Sequence, residues 1–125
     1  MNALNFIGGV FVDAQDEKTI NNINPATGQV IGTITRSNAS DVDAAVHAAS
    51  LAQSEWSRLT MLERADWLDK IADGLERRRE ELAQRESRDT GKPLALARRV
   101  DAQRSIENFR FFADFARKQD CLLYT

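Results

Sequence analysis

The stretch INPATGQVIG, at residues 23–32, combines a proline-initiated turn with the start of a β-strand. Pro25 holds its φ at about −65°, which suits the first corner of a turn, and Gly28 can adopt the left-handed conformation that ends such a turn. Val30 and Ile31 then begin a β-branched run that is typical of a strand. The stretch therefore predicts a turn between two strands.

A second hairpin is predicted upstream, where FIGGVF places two glycines between apolar residues. Gly8 and Gly9 accept positive φ at little steric cost, which suits a two-residue hairpin turn. We therefore assign residues 1–36 to an N-terminal β-hairpin segment.

Downstream of this segment the apolar residues recur with the period of a helix. The first stripe consists of Val42, Ala45, Val46, Ala49, Ala52 and Trp56. Ser40 precedes the stripe and Asp43 follows three residues later, which predicts a capping box at the helix start. Thr60 and Glu63 repeat that spacing before a second stripe, and a bend is expected in the helix near Gly74.

The motif DTGKP predicts the end of one helix and the start of the next. Gly91 is available as the C-terminal cap, and Pro93 is suited to the first turn of a new helix. This last helix is expected over residues 94–118, with a break near Val100. The helical segment thus covers residues 37–118. The apolar tail after it is β-prone, so residues 119–125 are predicted to be a truncated strand.

The charge balance of the chain limits its partners. The 125 residues include 17 basic and 19 acidic side chains, a net charge of −2. Nucleic-acid binding needs a surplus of basic residues on one face, so this balance argues against it. No apolar run approaches the ~18 residues of a membrane-spanning helix, and no signal-peptide layout is present. Cys121 is the only cysteine, which favours a reducing compartment. We expect a cytoplasmic protein without nucleic-acid or membrane partners.

Few side chains point to catalysis. His47 is the only histidine and lies off the apolar stripe, with no partner spaced to work with it, which favours a surface histidine. Cys121 lies among apolar residues, which favours a structural role over a nucleophilic one. TGKP lacks the second glycine and the Ser or Thr of a phosphate loop, and G-x-G-x-x-G is absent. The sequence therefore predicts no catalytic and no cofactor-binding residue.

Two side-chain clusters favour structural roles. Phe109, Phe112 and Phe115 share one side of the last predicted helix, whereas Phe111 points elsewhere. Core packing is the favoured interpretation, and packing against a missing partner is the alternative. The three arginines of ERRREE, at residues 76–81, alternate with glutamates, which is typical of a solvated helix face.

The ordered segments FIGGVFVDA, INPATGQVIG, DVDAAVHAASLAQSEW and ERADWLDKIADGLERRREELAQRESRDTGKPL resemble the N-terminal part of the aldehyde dehydrogenase superfamily over residues 4–118. RSIENFRFFADFA further resembles the branch that oxidises aminomuconate and hydroxymuconate semialdehydes. The resemblance implies an α+β fragment, in which N-terminal β-hairpins are followed by three or four α-helices. This fragment would be part of the α/β aldehyde dehydrogenase fold, with its helices in the cofactor-binding domain.

The resemblance also implies a function. Family members oxidise an aldehyde or semialdehyde to a carboxylate with NAD(P), and the complete enzyme is expected to be a homo-oligomer that acts on a small-molecule aldehyde. The family's nucleophilic cysteine, base glutamate, oxyanion asparagine and cofactor-binding strands all lie beyond residue 125. We interpret the chain as a truncated N-terminal fragment that binds no NAD(P) and is inactive alone.

One site transfers from the resemblance. Many family members hold a structural monovalent cation, Na⁺ or K⁺, and the matching positions are Asn22, Ile23 and Asp101. Backbone carbonyls and a carboxylate are oxygen ligands of the hard type that such a cation prefers. The favoured alternative for Asp101 is a helix N-cap, and the two roles are compatible.

Two hypotheses from other classes remain. A self-standing helical protein-interaction module would use the phenylalanine-rich helix to bind a partner. Nucleic-acid binding through Arg77, Arg78 and Arg79 is the least favoured hypothesis.

Overall fold

The computed structural model describes residues 2–122, with side chains as far as residue 118. Four strands precede the helices: β1 Asn5–Ile7, β2 Val10–Val12, β3 Thr19–Ile23 and β4 Val30–Thr35. The helices are α1 Ala39–Trp56, α2 Met61–Arg77, α3 Arg79–Thr90, α4 Leu94–Leu96 and α5 Gln103–Leu122, with a π-helical segment, Ala97–Ala102, between the last two. The predicted α+β class is confirmed. The chain forms two compact units, one ending at Arg58 and the other beginning at Leu59.

The first unit contains both predicted hairpins. β1 pairs antiparallel with β2, and Ile7 faces Val10 across a two-residue turn. Gly8 and Gly9 adopt φ of 61° and 88°, so both turn residues use the conformational freedom that glycine provides. The hairpin predicted from FIGGVF is confirmed.

The turn between β3 and β4 is built around Asn24. Its carbonyl accepts a hydrogen bond from Gly28 N at 2.8 Å, and its side-chain Oδ1 accepts one from Ala26 N at 2.9 Å. Gly28 has φ of 69°, the left-handed conformation predicted for it. The NPATG motif thus closes the second antiparallel pair, as predicted.

Helix α1 begins two residues earlier than the capping pattern predicts. Asn38, not Ser40, is the N-cap, and its Oδ1 accepts a hydrogen bond from Ser40 N at 2.8 Å. Asp41 completes this capping box by accepting from Asn38 N at 2.8 Å. The predicted Ser40–Asp43 box is wrong because Asp41 Oδ1 also accepts from Gln15 N, a distant backbone group, at 2.9 Å. A tertiary contact therefore selects between two locally equivalent caps.

The second unit is organised by the packing of α2 against α5. Ala65 and Ala72 of α2, and Ile106 and Ala113 of α5, are buried. Glu76, near the end of α2, pairs with Arg110, and Asp69, earlier in α2, pairs with Arg117, later in α5, so the two helices run antiparallel. The predicted capping box at the start of α2, between Thr60 and Glu63, is confirmed.

The predicted bend near Gly74 is misplaced. Helix α2 continues past it, and the interruption falls at Arg78, whose φ of −108° and ψ of 14° are not helical. Neither glycine nor proline marks this break, so no residue type at Arg78 signals a change of conformation. The Arg78 guanidinium instead pairs with Glu81 at 2.8 Å in the first turn of α3.

The end of α3 and the restart after it follow the DTGKP motif. Gly91 caps α3 with φ of 73°, and Pro93 precedes α4, as predicted. The break expected near Val100 is the π-helical segment, and three alanines buried around it form a small core: Ala83, Ala97 and Ala102.

Helix α5 continues through residues 119–122, so the strand predicted over residues 119–125 is wrong for these four residues. An isolated strand has no backbone partners, whereas each added helical residue bonds to the preceding turn. The rest of the predicted strand, residues 123–125, lies outside the described residues.

Candidate functional site

Two predicted cation ligands lie at the end of β3 in the first unit. Asn22 pairs with Gly32 and Ile23 pairs with Val30, so β4 carries one extra residue at this point. Such a bulge re-aims backbone groups and is common next to binding sites. The irregularity lies directly before the Asn24 turn.

The third predicted ligand, Asp101, lies in the π-helical segment of the second unit. Its Oδ2 accepts a hydrogen bond from Lys92 Nζ at 2.6 Å, and the two side chains are about equally half-buried. The favoured alternative, a helix N-cap at Asp101, is wrong because the helical backbone continues through this residue into α5. Ser105 Oγ donates to the Asp101 carbonyl at 2.8 Å, which supports the helix at this point.

Backbone oxygens at Asn22 and Ile23 and a carboxylate at Asp101 are ligands of the type that a monovalent cation prefers. The Asp101 carboxylate, however, already contacts the ammonium group of Lys92. Within residues 2–118, no three His, Cys, Asp or Glu side chains come together as a metal cluster. The monovalent cation site at Asn22, Ile23 and Asp101 stays a prediction.

A small cavity of mixed polar and apolar lining adjoins Asp101. Its volume is about 160 Å³, and Glu86, Asp101 and Ser105 contribute its polar lining. Lys92 Nζ also approaches Glu86 Oε1, at 3.9 Å, and the Lys92 carbonyl accepts a hydrogen bond from Ser87 Oγ at 2.6 Å. The sequence pattern places Lys92 only in a helix-stop motif. Its acidic partners, Glu86 and Asp101, lie six and nine residues away along an irregular backbone, so their spacing does not indicate the pairing.

Two apolar depressions of the first unit lie along α1. One, of about 260 Å³, is lined by Phe6 and Ile7 of β1 and by Val42, Ala45 and Val46 of α1, among others. A second, of about 380 Å³, adjoins it and shares Val46. We call the two depressions together the α1 groove. The predicted apolar stripe is therefore present on α1, but Val42 is 55% exposed and Val46 is 60% exposed.

Most of the polar groups that line the α1 groove beside Asp41 have hydrogen-bond partners. Asp41 is 4% exposed, and both of its carboxylate oxygens accept backbone hydrogen bonds. Asn5 Oδ1 accepts from Ser37 Oγ at 2.9 Å, whereas Asn5 Nδ2 is buried with no partner among the described residues. A buried amide donor left in this state destabilises the fold.

His47 and Cys121 are the two side chains considered above for a catalytic role. His47 is exposed on α1, which confirms the surface histidine predicted from its position off the stripe. Cys121 lies on α5, but its side chain is outside the described ones.

The phenylalanines of α5 depart from the prediction of core packing. Phe111, Phe112 and Phe115 are 62%, 56% and 50% exposed, and only Phe109 is partly buried. The exposed rings contact one another, with Phe111 edge-on to Phe112 at a centroid distance of 5.3 Å. The apolar pattern of this helix therefore exceeds what α2 covers, which leaves the alternative of a missing partner open.

Ion pairs join α2 to α5 beside their buried alanines. Arg117 Nη2 lies 2.8 Å from Asp66 and 2.6 Å from Asp69, and Arg110 pairs with Glu76 and Asp73. The hydrogen bonds that the two guanidinium groups donate to these carboxylates raise the pKa of both arginines.

A similar pair joins α3 to the π-helical segment. Arg98 donates twice to Glu80, at 2.7 Å, and Gln84 donates to the same carboxylate at 3.1 Å. The two Arg98 bonds, assisted by Gln84, lower the pKa of Glu80 to about 2. Within residues 76–81, Arg78 pairs with Glu81 on the helix surface, which agrees with the predicted solvated face.

Comparison with known proteins indicates a family, which the geometry of the described side chains does not. A model described as the aldehyde dehydrogenase family matches residues 11–121. The chain is 42% identical to a 2-hydroxymuconic semialdehyde dehydrogenase of Pseudomonas sp. (strain CF600), over 87% of this chain and 23% of that protein. It is 45% identical to a 2-aminomuconic semialdehyde dehydrogenase of Homo sapiens, over 87% of this chain and 22% of that protein.

The fold has a counterpart among solved structures. An NAD⁺ complex of an aldehyde dehydrogenase from Bacillus cereus matches with a TM-score of 0.86 and 40% identity, over 91% of this chain and 24% of that chain. The chain thus spans about a quarter of the length of the proteins it matches. Within residues 2–122, none of the helices combines the length and hydropathy needed to cross a bilayer.

Proposed function

The chain belongs to the aldehyde dehydrogenase family, and we propose on that basis that it is the N-terminal region of an NAD(P)-dependent enzyme that oxidises an aldehyde to a carboxylate. The match of the family model to most of the chain carries this proposal. The family identified from the ordered sequence motifs is thereby confirmed. A structural relative with NAD⁺ bound supports the choice of cofactor.

We propose a semialdehyde of the muconic type as the substrate class. The support is the printed activity of relatives from both bacteria and vertebrates, which share 42% and 45% of their aligned residues with this chain. The complete enzyme is proposed to be a cytoplasmic homo-oligomer.

The 125 residues alone are proposed to be inactive. Aldehyde oxidation by this chemistry needs a thiolate nucleophile, a base that activates water and a bound nicotinamide. The family resemblance places all three groups beyond residue 125.

A fusion protein tests the proposed function. Residues 11–121 of this chain would replace the matching segment of the Pseudomonas 2-hydroxymuconic semialdehyde dehydrogenase, and the unaltered parent enzyme is the positive control. We expect the fusion to reduce NAD⁺ in the presence of 2-hydroxymuconic semialdehyde, and the 125-residue chain to give none above background. An inactive fusion beside an active parent, or turnover by the chain alone, would contradict the proposal. Light scattering of the active fusion would report its oligomeric state.

A further inference from the structure

The ion pair between Lys92 and Asp101 is short and partly enclosed. Lys92 Nζ lies 2.6 Å from Asp101 Oδ2, and the two side chains are 31% and 30% exposed. Arg98 and Glu80 form a pair of similar length, 2.7 Å, but these side chains are 43% and 54% exposed. Because partial removal from water strengthens the attraction between two charges, we expect Lys92 to hold Asp101 more firmly than an ion pair on an open helix surface would.

The backbone around Lys92 is anchored where its side chain meets Asp101. The left-handed Gly91, with φ of 73°, turns the chain out of α3. Lys92 N then donates a hydrogen bond to Thr90 Oγ1 at 3.3 Å, and the Lys92 carbonyl accepts one from Ser87 Oγ at 2.6 Å. The ammonium group therefore reaches the carboxylate from a backbone that is hydrogen-bonded through both its N–H and its carbonyl.

Two of the oxygen atoms of Asp101 are already engaged within the second unit. Oδ2 accepts from Lys92, and the backbone carbonyl accepts a hydrogen bond from Ser105 Oγ at 2.8 Å. Glu86 Oε1 lies 3.9 Å from the same ammonium group, so a second carboxylate also attracts the lysine. An inorganic cation on Asp101 would lie beside this ammonium group, and like charges repel. The Asp101 carboxylate therefore fits the role of an ion-pair partner better than that of the cation ligand that the family resemblance implies.

Lys92 supplies the charge that a monovalent cation would otherwise provide. An ammonium group carries one positive charge and donates hydrogen bonds to oxygen acceptors. Because Lys92 belongs to the same chain, its effective concentration at Asp101 does not depend on the salt in solution. We propose that Lys92, and not Na⁺ or K⁺, is the counter-ion of the Asp101 carboxylate in this chain. The claim concerns this one carboxylate and does not depend on the proposed enzyme activity.

Amide hydrogen exchange in three salts tests the claim on the complete 125-residue chain. The chain is measured in NaCl, KCl and N-methyl-D-glucamine chloride at one ionic strength, and mass spectrometry follows the peptide that spans residues 101–106. We expect its exchange rate to differ by less than about twofold among the three salts, because the counter-ion is part of the chain. Exchange that NaCl or KCl slows in the parent chain but not in Asp101→Asn would mean that Asp101 binds Na⁺ or K⁺, and it would overturn the proposal.

Lys92→Met tests the role of the ammonium group itself. The substitution removes the charge, so exchange over residues 101–106 should rise by about threefold or more, the order of effect expected for a partly enclosed ion pair. Lys118→Met is the matched control, because it removes an exposed lysine late in α5 and should leave the exchange of this peptide unchanged. An unchanged rate in Lys92→Met would overturn the proposal, and so would an equal rise in the two variants.

A double variant shows whether the two side chains act as a pair. Lys92→Met combined with Asp101→Asn should exchange no faster than the faster of the two single variants, because each substitution breaks the same ion pair. Additive effects would show that the two side chains act separately, and they would overturn the proposal. The comparison of salts in the parent chain needs no substitution, so it tests the proposal even if Lys92→Met does not fold.

Discussion

The first helix of each unit buries an opposite kind of side chain. Helix α1 buries one carboxylate, Asp41, at its first turn and leaves its apolar stripe open. Helix α2 buries Ala65 and Ala72 against α5, and carries charged side chains along the edge of that contact. An apolar stripe therefore indicates that a helix can pack against a partner. It does not indicate whether that partner is present in the same unit.

The difference lies in the partner rather than in the local sequence signal. Both helices start with a capping box that satisfies free backbone N–H groups. Only α2 has a long antiparallel helix beside it within its unit. The first unit is consequently anchored by a buried polar contact, and the second by a packed apolar layer with ion pairs at its edge.

The largest expected effect comes from removing apolar volume in the second unit. Ile106 is the largest fully buried side chain among the described residues, so Ile106→Ala should lower the free energy of unfolding by about 2–5 kcal/mol. Val46→Ala, the matched truncation on α1, should change it by about 0.5 kcal/mol or less because Val46 is exposed. Urea unfolding followed by circular dichroism measures both, and equal losses would show that the α1 stripe is packed after all.

A polar truncation should produce the corresponding loss in the first unit. Asp41→Ala removes the acceptor of two backbone donors, Gln15 N and Asn38 N. The loss of a hydrogen bond to a charged acceptor costs about 1.5–3 kcal/mol, so α1 should lose stability and its amides should exchange faster with solvent. Asp43→Ala, an exposed change in the same helix turn, is the control. Hydrogen exchange that is equally fast in the two variants would show that Asp41 does not anchor the helix.

Breaking an ion pair at the edge of the α2–α5 contact should have a smaller effect. Arg117→Gln removes the guanidinium that bridges Asp66 and Asp69, and we expect a fall of a few degrees at most in the melting temperature, because the arginine is one-third exposed. Arg104→Gln, on the exposed side of α5, should leave the melting temperature unchanged. A loss as large as that from Ile106→Ala would mean that charge, and not apolar burial, holds the second unit together.

Local chemistry made much of the fold predictable. The Gly8-Gly9 turn, the NPATG turn and the Gly91 cap depend on conformations that glycine and proline favour, so their positions follow from the residues themselves. The α1 cap and the break at Arg78 were missed because distant or irregular contacts decide them. The sequence also does not show whether a packing partner is present. It therefore predicts Phe112 in the core, although the side chain is exposed.

The candidate site was less predictable than the fold. The family resemblance predicts Asn22, Ile23 and Asp101 as cation ligands, which stays a prediction, and it does not show that Lys92 pairs with Asp101. Periodicity places residues on a face, whereas this pair depends on how the chain crosses from the Gly91 cap into the π-helical segment. The α1 groove was also missed, because the pattern of its stripe is the same in a covered and an open helix.

The smallest expected effect concerns acid sensitivity, and it also separates the two units. Arg98 lowers the pKa of Glu80 from an ordinary value of 4.5 to about 2 in the folded chain. The folded state therefore gains stability from ionised Glu80 above about pH 4.5 and loses it as the pH falls towards 2. Glu80→Gln should flatten the fall of the melting temperature over this range only slightly, because both partners of the pair are about half exposed. Glu55→Gln, an exposed change on α1, should leave the fall as steep as in the parent chain. If the two variants give the same curve, the Arg98–Glu80 pair does not contribute to the stability of the second unit.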